Sequence, residues 1–373
     1  MNNSLNLPEV NQEQAYNLTK FFINSNQNVF FFGRRGVGKT HIAMQAAKEC
    51  GYKVNYINLS VIERPDLAGY PDINTKGDII NYKSPYFLPK LEVGSKPDSV
   101  ILFDEVDKVQ PDVTAPLLEI LLFKKINGNP INAAACILTG NLMQEGAFSN
   151  ELSSALLDRG AKYILTFDFQ HWVNWAQANN VHDLILGFLR SNPEFACGQI
   201  RETTYASPSP RSWTWASQAL IKAKELKMTD IESITHIISG YVGCEAALRF
   251  QIWYEYYRKF EPHVHSLIER GEMLFNYAAL VPTEKVVFVI TACHYTKLKV
   301  LEGKAKSRFT HLENLCQFFN QYKVENELQV MGLHNSFPFD IIEKHKLYTY
   351  KPFFDHFTKL TEGVNIKKGR ARP

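Results

Sequence analysis

A short apolar run, Val29–Phe32, leads directly into a glycine-rich loop that ends in a lysine and a threonine. The eight residues of this loop are Gly33, Arg34, Arg35, Gly36, Val37, Gly38, Lys39 and Thr40. Glycines at this spacing let consecutive backbone N–H groups wrap a phosphate, and the helix that follows directs its positive end at the same point. We therefore predict a nucleotide site in which Lys39 reaches the β- and γ-phosphates and Thr40 holds Mg²⁺.

Two adjacent carboxylates, Asp104 and Glu105, end a second apolar run that begins at Val100. Ligands of open parallel sheets bind at the carboxyl ends of the strands, which is where these side chains should lie. We expect Asp104 to share the Mg²⁺ with Thr40, and Glu105 to polarise a water that attacks the γ-phosphate. Asn141 follows the next apolar run and is placed to orient that water at the same edge.

The elements that must position these residues are strands alternating with helical patterns. Five segments have strand character: Val29–Phe32, Lys53–Ile57, Ser99–Phe103, Ala134–Thr139 and Lys162–Phe167. Such alternation predicts an α/β fold with a five-stranded parallel sheet covered on both faces. From about residue 168 the pattern becomes helical, and beyond residue 250 it becomes aromatic. We predict an α/β nucleotide-binding domain at residues 1–168, a helical lid at 169–250 and a mostly helical region at 251–373.

Composition limits the class of protein. The 373 residues are 45% apolar with a net charge of +3, which is ordinary for a globular chain and too mild to indicate nucleic-acid binding. The six cysteines contain no Cys-x-x-Cys pair, which argues against a zinc site. The N-terminus lacks the pattern of a secretory signal, and the apolar run Val286–Cys293 is far shorter than the ~20 residues of a membrane span. We expect a cytoplasmic protein without a membrane segment.

The ordered set of motifs resembles the AAA+ ATPases, and within them the MoxR branch found in bacteria and phages. The motifs are the glycine-rich loop, the Asp104-Glu105 pair, Asn141, Arg159 and Arg211, which that family calls Walker A, Walker B, sensor 1, arginine finger and sensor 2. Supporting stretches are Asp66–Pro71, Pro85–Pro89, His171–Ala176, Pro210–Trp213 and Gly240–Ala247. The resemblance covers about residues 28–250. It implies a P-loop NTPase fold that binds ATP with Mg²⁺.

The resemblance also implies a ring, commonly a hexamer, with a nucleotide at each subunit interface. Arg159 would complete the site of a neighbouring subunit, because charge that develops on the γ-phosphate needs a cation. Arg211, on the lid, would contact the phosphate within its own subunit. MoxR relatives usually act with a partner that carries a von Willebrand factor A-like domain, so we expect a protein client of that kind.

Three positions depart from the family pattern. Arg34 and Arg35 stand where relatives usually have small residues or proline, so either one could face the neighbouring subunit. Gly160 stands where an aromatic residue is common, which leaves the aim of Arg159 open.

An insertion at residues 61–98 carries Tyr82, Tyr86 and Phe87. These rings either face a client or pack back on the sheet, and the pattern does not choose between the two. The segment Lys124–Pro130 contains Asn-Gly and resembles the hairpin that these ATPases place before the fourth strand.

The leading functional hypothesis is a ring-forming ATPase that remodels or activates a protein partner. The alternative is a nucleic-acid-dependent motor or loader, supported by the basic stretch Lys297–Arg308 and the charged C-terminal tail. A nucleotide-binding subunit without turnover is disfavoured because Glu105, Asn141 and Arg159 are all present. The aromatic stripe Gln251–Arg258 could stack on single-stranded nucleic acid, but rings at helical spacing favour a packed core.

Overall fold

The computed structural model describes residues 7–72, 81–142, 152–198, 206–302, 305–337 and 339–361. These residues form two compact units. The first comprises the described residues up to Asn179 together with Cys197–Thr214, and the second comprises Asn180–Ala196 and the described residues from Trp215 onward. The division into domains at residues 168 and 250 stays a prediction.

A parallel sheet organises the first unit. In chain order the described strands are β1 Glu9–Val10, β2 Val29–Gly33, β3 Lys53–Asn58, β4 Tyr70–Pro71, β5 Tyr82–Lys83, β6 Ser99–Asp104, β7 Lys125–Ile126, β8 Asn129–Pro130, β9 Ala135–Gly140 and β10 Ala161–Leu165. Six of them pair in parallel in the order β1-β10-β2-β9-β6-β3. The predicted α/β fold is therefore confirmed, with one strand more than expected. The extra strand, β1, has two residues, too few to show a pattern in the sequence.

The described helices surround this sheet and build the second unit. In chain order they are α1 Gln12–Asn24, α2 Lys39–Glu49, α3 Arg64–Ala68, α4 Pro111–Phe123, α5 Ser154–Leu157, α6 Phe169–Ala178, α7 Asp183–Ser191, α8 Pro210–Glu225, α9 Ile231–Val242, α10 Cys244–Arg270, α11 Pro282–Glu302, α12 Ala305–Gln321, α13 Asn326–Ser336, α14 Phe339–Lys344 and α15 Lys351–Thr361. The carboxylate of Asp168 accepts a hydrogen bond from the backbone N–H of His171 and so caps α6. The change of pattern predicted at residue 168 thus coincides with a capped helix start.

Both faces of the sheet are covered, because successive residues of a strand point to opposite sides. Phe30 and Phe32 of β2 belong to a core that includes Leu117 of α4. Phe31 belongs to a second core that includes Ala43 of α2. Strands β2, β6 and β9 are buried along almost their whole length, as expected for the centre of a parallel sheet. This double cover makes the central strands a rigid base for the loops at their carboxyl ends.

The inserted segment between β3 and β6 divides into an inward and an outward part. Strand β4 pairs antiparallel with β5, and the segment after β5 returns to the core. Leu88 is 2% exposed within that core, whereas the ring of Tyr86 is 99% exposed. Phe87 is partly buried against the same core. Packing back on the core is therefore confirmed for Phe87 and Leu88, whereas a contact of the exposed Tyr86 ring with a client stays a prediction.

A second small hairpin precedes β9, as predicted. Strands β7 and β8 pair antiparallel, and Asn127 and Gly128 connect them with φ angles of 45° and 78°. Positive φ at both central residues is the geometry that makes Asn-Gly favourable in tight hairpins.

The second unit has an aromatic core. Trp253 of α10 is buried and lies 5.8 Å from the ring of Phe250 and 5.3 Å from that of Tyr257. Phe288 of α11 makes an edge-to-face contact with Phe260, with ring centroids 5.5 Å apart. The rings around Trp253 thus contribute to packing, as helical spacing favoured. Within the described ranges, the long helices lack an apolar stretch that could cross a lipid bilayer.

Replacement of Leu88 by alanine should destabilise the first unit by about 2–4 kcal/mol, because it removes a fully buried side chain from a packed core. The matched change Tyr86→Ala removes an exposed ring and should alter stability by no more than about 0.5 kcal/mol. Urea unfolding followed by circular dichroism compares the two. An equal loss in both variants would contradict the inward and outward placement.

Candidate active site

The glycine-rich loop joins β2 to α2 and uses glycine where the backbone requires it. Gly36 and Gly38 have φ angles of 76° and 103°, a region that other residues rarely adopt. At Gly36 a Cβ would also lie 2.7 Å from the Oγ of Ser209, just before α8. A Cβ at Gly33 would lie 2.6 Å from the carbonyl oxygen of Leu165 on the neighbouring strand. The loop therefore takes its shape from close packing against two other segments.

The N-terminus of α2 suits a phosphate. Gly38 is its N-cap and provides no side-chain hydrogen bond, and the first turn carries no acidic residue. The first N–H groups of a helix have no intrahelical partner, and the helix dipole adds partial positive charge there. A nucleotide phosphate would supply the acceptors that the cap does not.

Lys39 connects the loop with the carboxyl end of β9. Its side chain is buried, and its Nζ donates to the carbonyl oxygens of Gly33 at 2.6 Å and Arg34 at 2.9 Å. A third bond, of 3.1 Å, goes to Oδ1 of Asn141. The structure thus brings together two of the residues predicted for the site that are about a hundred positions apart in the chain.

Asp104 lies at the end of β6 and collects hydroxyl donors. Its Oδ2 accepts from Oγ1 of Thr40 at 3.0 Å and from the hydroxyl of Tyr56 at 3.2 Å. Its Oδ1 accepts from the hydroxyl of Thr139 and from the backbone N–H of Glu105. A carboxylate beside a hydroxyl is a donor set that Mg²⁺ takes at nucleotide sites, so the predicted pair of Thr40 and Asp104 fits the metal.

Tyr56, on the neighbouring strand β3, was not predicted as part of the site. Partial burial and the nearby charge of Asp104 raise its pKa to about 12. Its hydroxyl therefore stays protonated at neutral pH and remains a donor to the carboxylate. Tyr56 and Thr139 stand near the ends of predicted strands, which is the one signal in the sequence that could have marked them.

Glu105 lies directly after Asp104 in a left-handed backbone conformation, with φ of 57°. Its Oε2 accepts a 2.6 Å ion-paired hydrogen bond from Nζ of Lys108, and both side chains are about one-third exposed. In this conformation the carboxylate is neutralised by a cation of its own loop. To act on a water it would have to exchange this partner for the water.

Asn141 is oriented by a residue that the motif analysis missed. Asp107 is 4% exposed, and its Oδ1 accepts from the backbone N–H of Asn141 at 2.9 Å. Its Oδ2 accepts from Nδ2 of the same residue at 3.4 Å. With the amide nitrogen directed at Asp107, the amide oxygen is left to accept from Lys39. The signal was present in the sequence as the third acid of Asp104-Glu105-Val-Asp107.

Arg211 stands in the first turn of α8, next to the glycine-rich loop. Its backbone N–H donates to the carbonyl oxygen of Gly36 at 3.3 Å. Its Cβ lies 3.3 Å from the position that a Cβ would occupy on that glycine. The structure therefore brings the start of α8 to the predicted phosphate site, and the contact of Arg211 with phosphate stays a prediction.

Arg159 follows α5 and makes its described polar contacts away from the other site residues. Its Nη1 lies 3.4 Å from Oδ2 of the exposed Asp158. Its Nε is buried without a hydrogen-bond partner in the part of the chain that the structure describes. At Gly160 a Cβ would lie 2.7 Å from the carbonyl oxygen of Asn28, which explains why this position has no aromatic side chain. Arg34 and Arg35 are exposed on the loop.

Comparisons with known proteins agree with this site. Residues 28–159 match the family model described as the AAA domain of the dynein-related subfamily. The chaperone protein ClpB of Mycoplasma genitalium is 33% identical over 123 residues, which cover 30% of this chain and 16% of that protein. The Clp protease ATP-binding subunit ClpL of Staphylococcus aureus is 30% identical over 134 residues, 32% of this chain and 19% of that protein.

These curated relatives are much longer than the part they share with the chain, which spans less than a fifth of their length. Among solved structures, the RuvB Holliday junction branch migration motor of Thermotoga maritima is similar with a TM-score of 0.38 and 14% identity. That match covers 91% of this chain and 87% of the other. The family match at residues 28–159 includes the glycine-rich loop and the two carboxylates.

The change Asp107→Asn should lower the rate of ATP hydrolysis by about 10- to 100-fold, since it removes a charged acceptor that orients Asn141. Phosphate release at saturating ATP measures the effect. Asp112→Asn, which alters an exposed acid five residues away, should leave the rate unchanged. A wild-type rate in Asp107→Asn would show that the orientation of Asn141 does not matter.

Proposed function

We propose that the chain is a MoxR-like ring ATPase that acts on a protein partner. Residues 28–159, which match the AAA family model, would form its AAA+ ATPase domain. The observation that carries the proposal is that the glycine-rich loop, the carboxylate of Asp104 and the amide of Asn141 lie close together. Thr40 bonds to Asp104, and Lys39 bonds to Asn141, at the same edge of the sheet. These four residues come from β6, α2 and the end of β9, so a folded sheet is needed to bring them together.

The residues present fit both ATP and Mg²⁺. The uncapped start of α2 and the glycines before it would hold the phosphates, with Lys39 beside them. Thr40 and Asp104 would hold the metal ion, whose positive charge, when it is bound, offsets the charge of the β- and γ-phosphates. Tyr56 and Thr139 would keep Asp104 oriented for this role through their hydroxyl groups.

Glu105 is the proposed base. Its carboxylate would accept a proton from the attacking water, or orient that water, once it leaves Lys108. Lys39 would remain near the phosphates because the carbonyls of Gly33 and Arg34 already fix its ammonium group. Asn141 would hold the water and the γ-phosphate in line, with Asp107 keeping its amide turned.

Ring assembly is proposed because Arg159 has no described task within its own subunit. Its described ion pair is with an exposed neighbour, Asp158, and its Nε has no described partner. A guanidinium supplied by an adjacent subunit would stabilise charge on the transferred phosphoryl group, an effect worth ~10³–10⁵ in rate where it operates. A closed ring, as a hexamer, gives every site such a neighbour.

Arg211 would sense the nucleotide. Because its N–H bonds to Gly36, a change in the loop on hydrolysis would reach the start of α8 directly. The proposed output is a movement of that helix that is passed on to the partner.

A protein partner is favoured by the exposed rings of the insertion, and its von Willebrand factor A-like kind is proposed from the resemblance to MoxR proteins. Tyr86 is almost fully exposed, and Tyr70 and Tyr82 of the β4–β5 pair are exposed too. Exposed aromatic residues are enriched at protein interfaces. The match to chaperone proteins points to the same class of action.

The alternative of a nucleic-acid motor loses part of its support. Within the basic stretch at 297–308, Lys297 is 6% exposed and Lys299 forms a 2.7 Å ion pair with Glu269. Lysines in these positions are poorly placed to neutralise phosphates of an extended polyanion.

The variant Glu105→Gln should bind ATP with unchanged affinity and hydrolyse it at least about 100-fold more slowly, because the amide cannot accept the proton of water. Titration with a fluorescent ATP analogue and a phosphate-release assay separate binding from turnover. The control Glu92→Gln changes an exposed acid of the insertion and should behave as wild type. Unchanged turnover in Glu105→Gln would overturn the assignment of the base.

The same variant, held in its ATP-bound form, should retain a protein partner that a Lys39→Ala variant does not retain, since the latter cannot hold the phosphates. Affinity capture with identification of the bound species tests this expectation. Recovery of nucleic acid alone, together with a rate of wild-type hydrolysis that rises when DNA is added, would favour the alternative function.

A further inference from the structure

Asn28 is a buried polar residue immediately before β2 that the mechanism has not used. It is 8% exposed, and its side chain lies between several segments of the first unit. A buried amide without partners would be costly, so its hydrogen bonds indicate what it stabilises.

Every hydrogen-bonding position of this amide is occupied. Nδ2 donates to the carbonyl oxygens of Leu121 and Arg159, each at 2.9 Å. Oδ1 accepts from the backbone N–H of Cys136 at 3.1 Å and from Nζ of Lys124 at 2.6 Å. An asparagine side chain has two N–H donors and an oxygen with two lone pairs, all of which are used here. One side chain thus joins the end of α4, the start of β9 and the loop that carries Arg159.

The backbone of Asn28 fixes that loop from a second direction. Its carbonyl oxygen accepts from the N–H of Ala161 at 3.1 Å. The same oxygen lies so close to Gly160 that a Cβ there would be 2.7 Å away. Residues 159–161 are therefore held on Asn28 by a hydrogen bond at each end and by close packing between them.

The contrast with the Arg159 side chain is informative. The backbone at residue 159 is fixed by a buried amide, whereas the guanidinium has an exposed acid, Asp158, as its described ion pair. Such an arrangement aims a side chain without engaging it within its own subunit.

Lys124 fixes the amide in turn. It ends α4 in a left-handed conformation, and its Nζ bonds to Leu121 O as well as to Asn28 Oδ1. A cation on Oδ1 defines which end of the amide is oxygen, so the nitrogen must face Arg159.

We propose that Asn28 is the positioning residue of the arginine finger: it holds the backbone of Arg159 so that the guanidinium reaches the site of the adjacent subunit. The inference rests on the proposed function, because it assumes that Arg159 acts across a subunit interface. Asn28 itself touches no substrate. Its effect should therefore appear in the neighbour's turnover and not in its own subunit's nucleotide binding.

The test variant is Asn28→Asp. It keeps the oxygen that faces Lys124 and Cys136, but it replaces the N–H donors with an oxygen that repels the carbonyls of Leu121 and Arg159. We expect ATP hydrolysis to fall by about 10- to 100-fold, with ATP affinity unchanged. Asn174→Asp makes the same charge change on an exposed position of α6 and should retain wild-type turnover.

Mixed rings separate positioning from general damage. When Asn28→Asp subunits are co-expressed with Glu105→Gln subunits, the two kinds can lie side by side in one ring. The Asn28→Asp subunit then supplies an intact Glu105, and its Glu105→Gln neighbour supplies a correctly held Arg159. In randomly mixed rings with equal amounts of both subunits, activity should return at up to about a quarter of the sites. Each head-to-tail interface takes its base from one subunit and its arginine from the next, and only one of the four possible pairings has both intact. Arg159→Ala mixed with Glu105→Gln is the positive control and should recover equally.

Lys124→Met is the second variant, for the case that Asn28→Asp does not fold. It removes the cation from Oδ1 and leaves the Asn28 amide intact. We therefore expect a smaller loss of ATP hydrolysis, which mixing with Glu105→Gln subunits should also restore. Thermal melting checks folding in each case.

The outcomes are distinct. Recovery in mixed rings supports the inference. The inference is wrong, and the proposed function stands, if mixing restores the activity of Arg159→Ala but not that of Asn28→Asp or Lys124→Met. The same conclusion follows if Asn28→Asp and Lys124→Met both keep wild-type turnover. If Arg159→Ala is not restored either, the action of Arg159 across the interface is wrong, and the inference falls with it.

Discussion

The buried ammonium of Lys39 is the interaction on which the site depends. Among the described residues, oxygens of Gly33, Arg34 and Asn141 accept hydrogen bonds from it, and they belong to the loop after β2 and to the end of β9. A buried cation is costly unless acceptors compensate it, so the loop and the neighbouring strand must hold their places together. The proposed phosphate site is therefore formed before nucleotide binds. Asn141, which would contact the γ-phosphate, is already hydrogen-bonded to Lys39, which would bind the phosphates.

Much of the first unit could be predicted from the sequence, because its signals are local. Segments of four to six residues with strand character indicated β2, β3, β6, β9 and β10, and the glycine spacing indicated the loop between β2 and α2. The carboxyl-edge rule then placed Asp104 and Asn141 on one side without any knowledge of strand order. The Asn-Gly turn between β7 and β8 was predictable for the same reason, since its backbone geometry selects its residues.

The remaining features depend on contacts between distant residues, which no local pattern records. Tyr56 meets Asp104 across 48 positions, and Asn28 meets Arg159 across 131. The extra strand β1 exists because two residues find a free edge beside β10. Lys297 carries a charge, yet helix packing buries it. In each case tertiary packing decided the environment, and residue type alone did not.

The left-handed backbone conformation of Glu105 lowers stability at the position where the proposed role needs a carboxylate. A non-glycine residue in this conformation costs about 1–2 kcal/mol, and glycine would relieve that cost. Glycine has no carboxylate, however, so the substitution that most relaxes the backbone also removes the proposed base. Stability and the proposed activity would therefore select different residues at this position: the glutamate lowers backbone stability and keeps a carboxylate at the site.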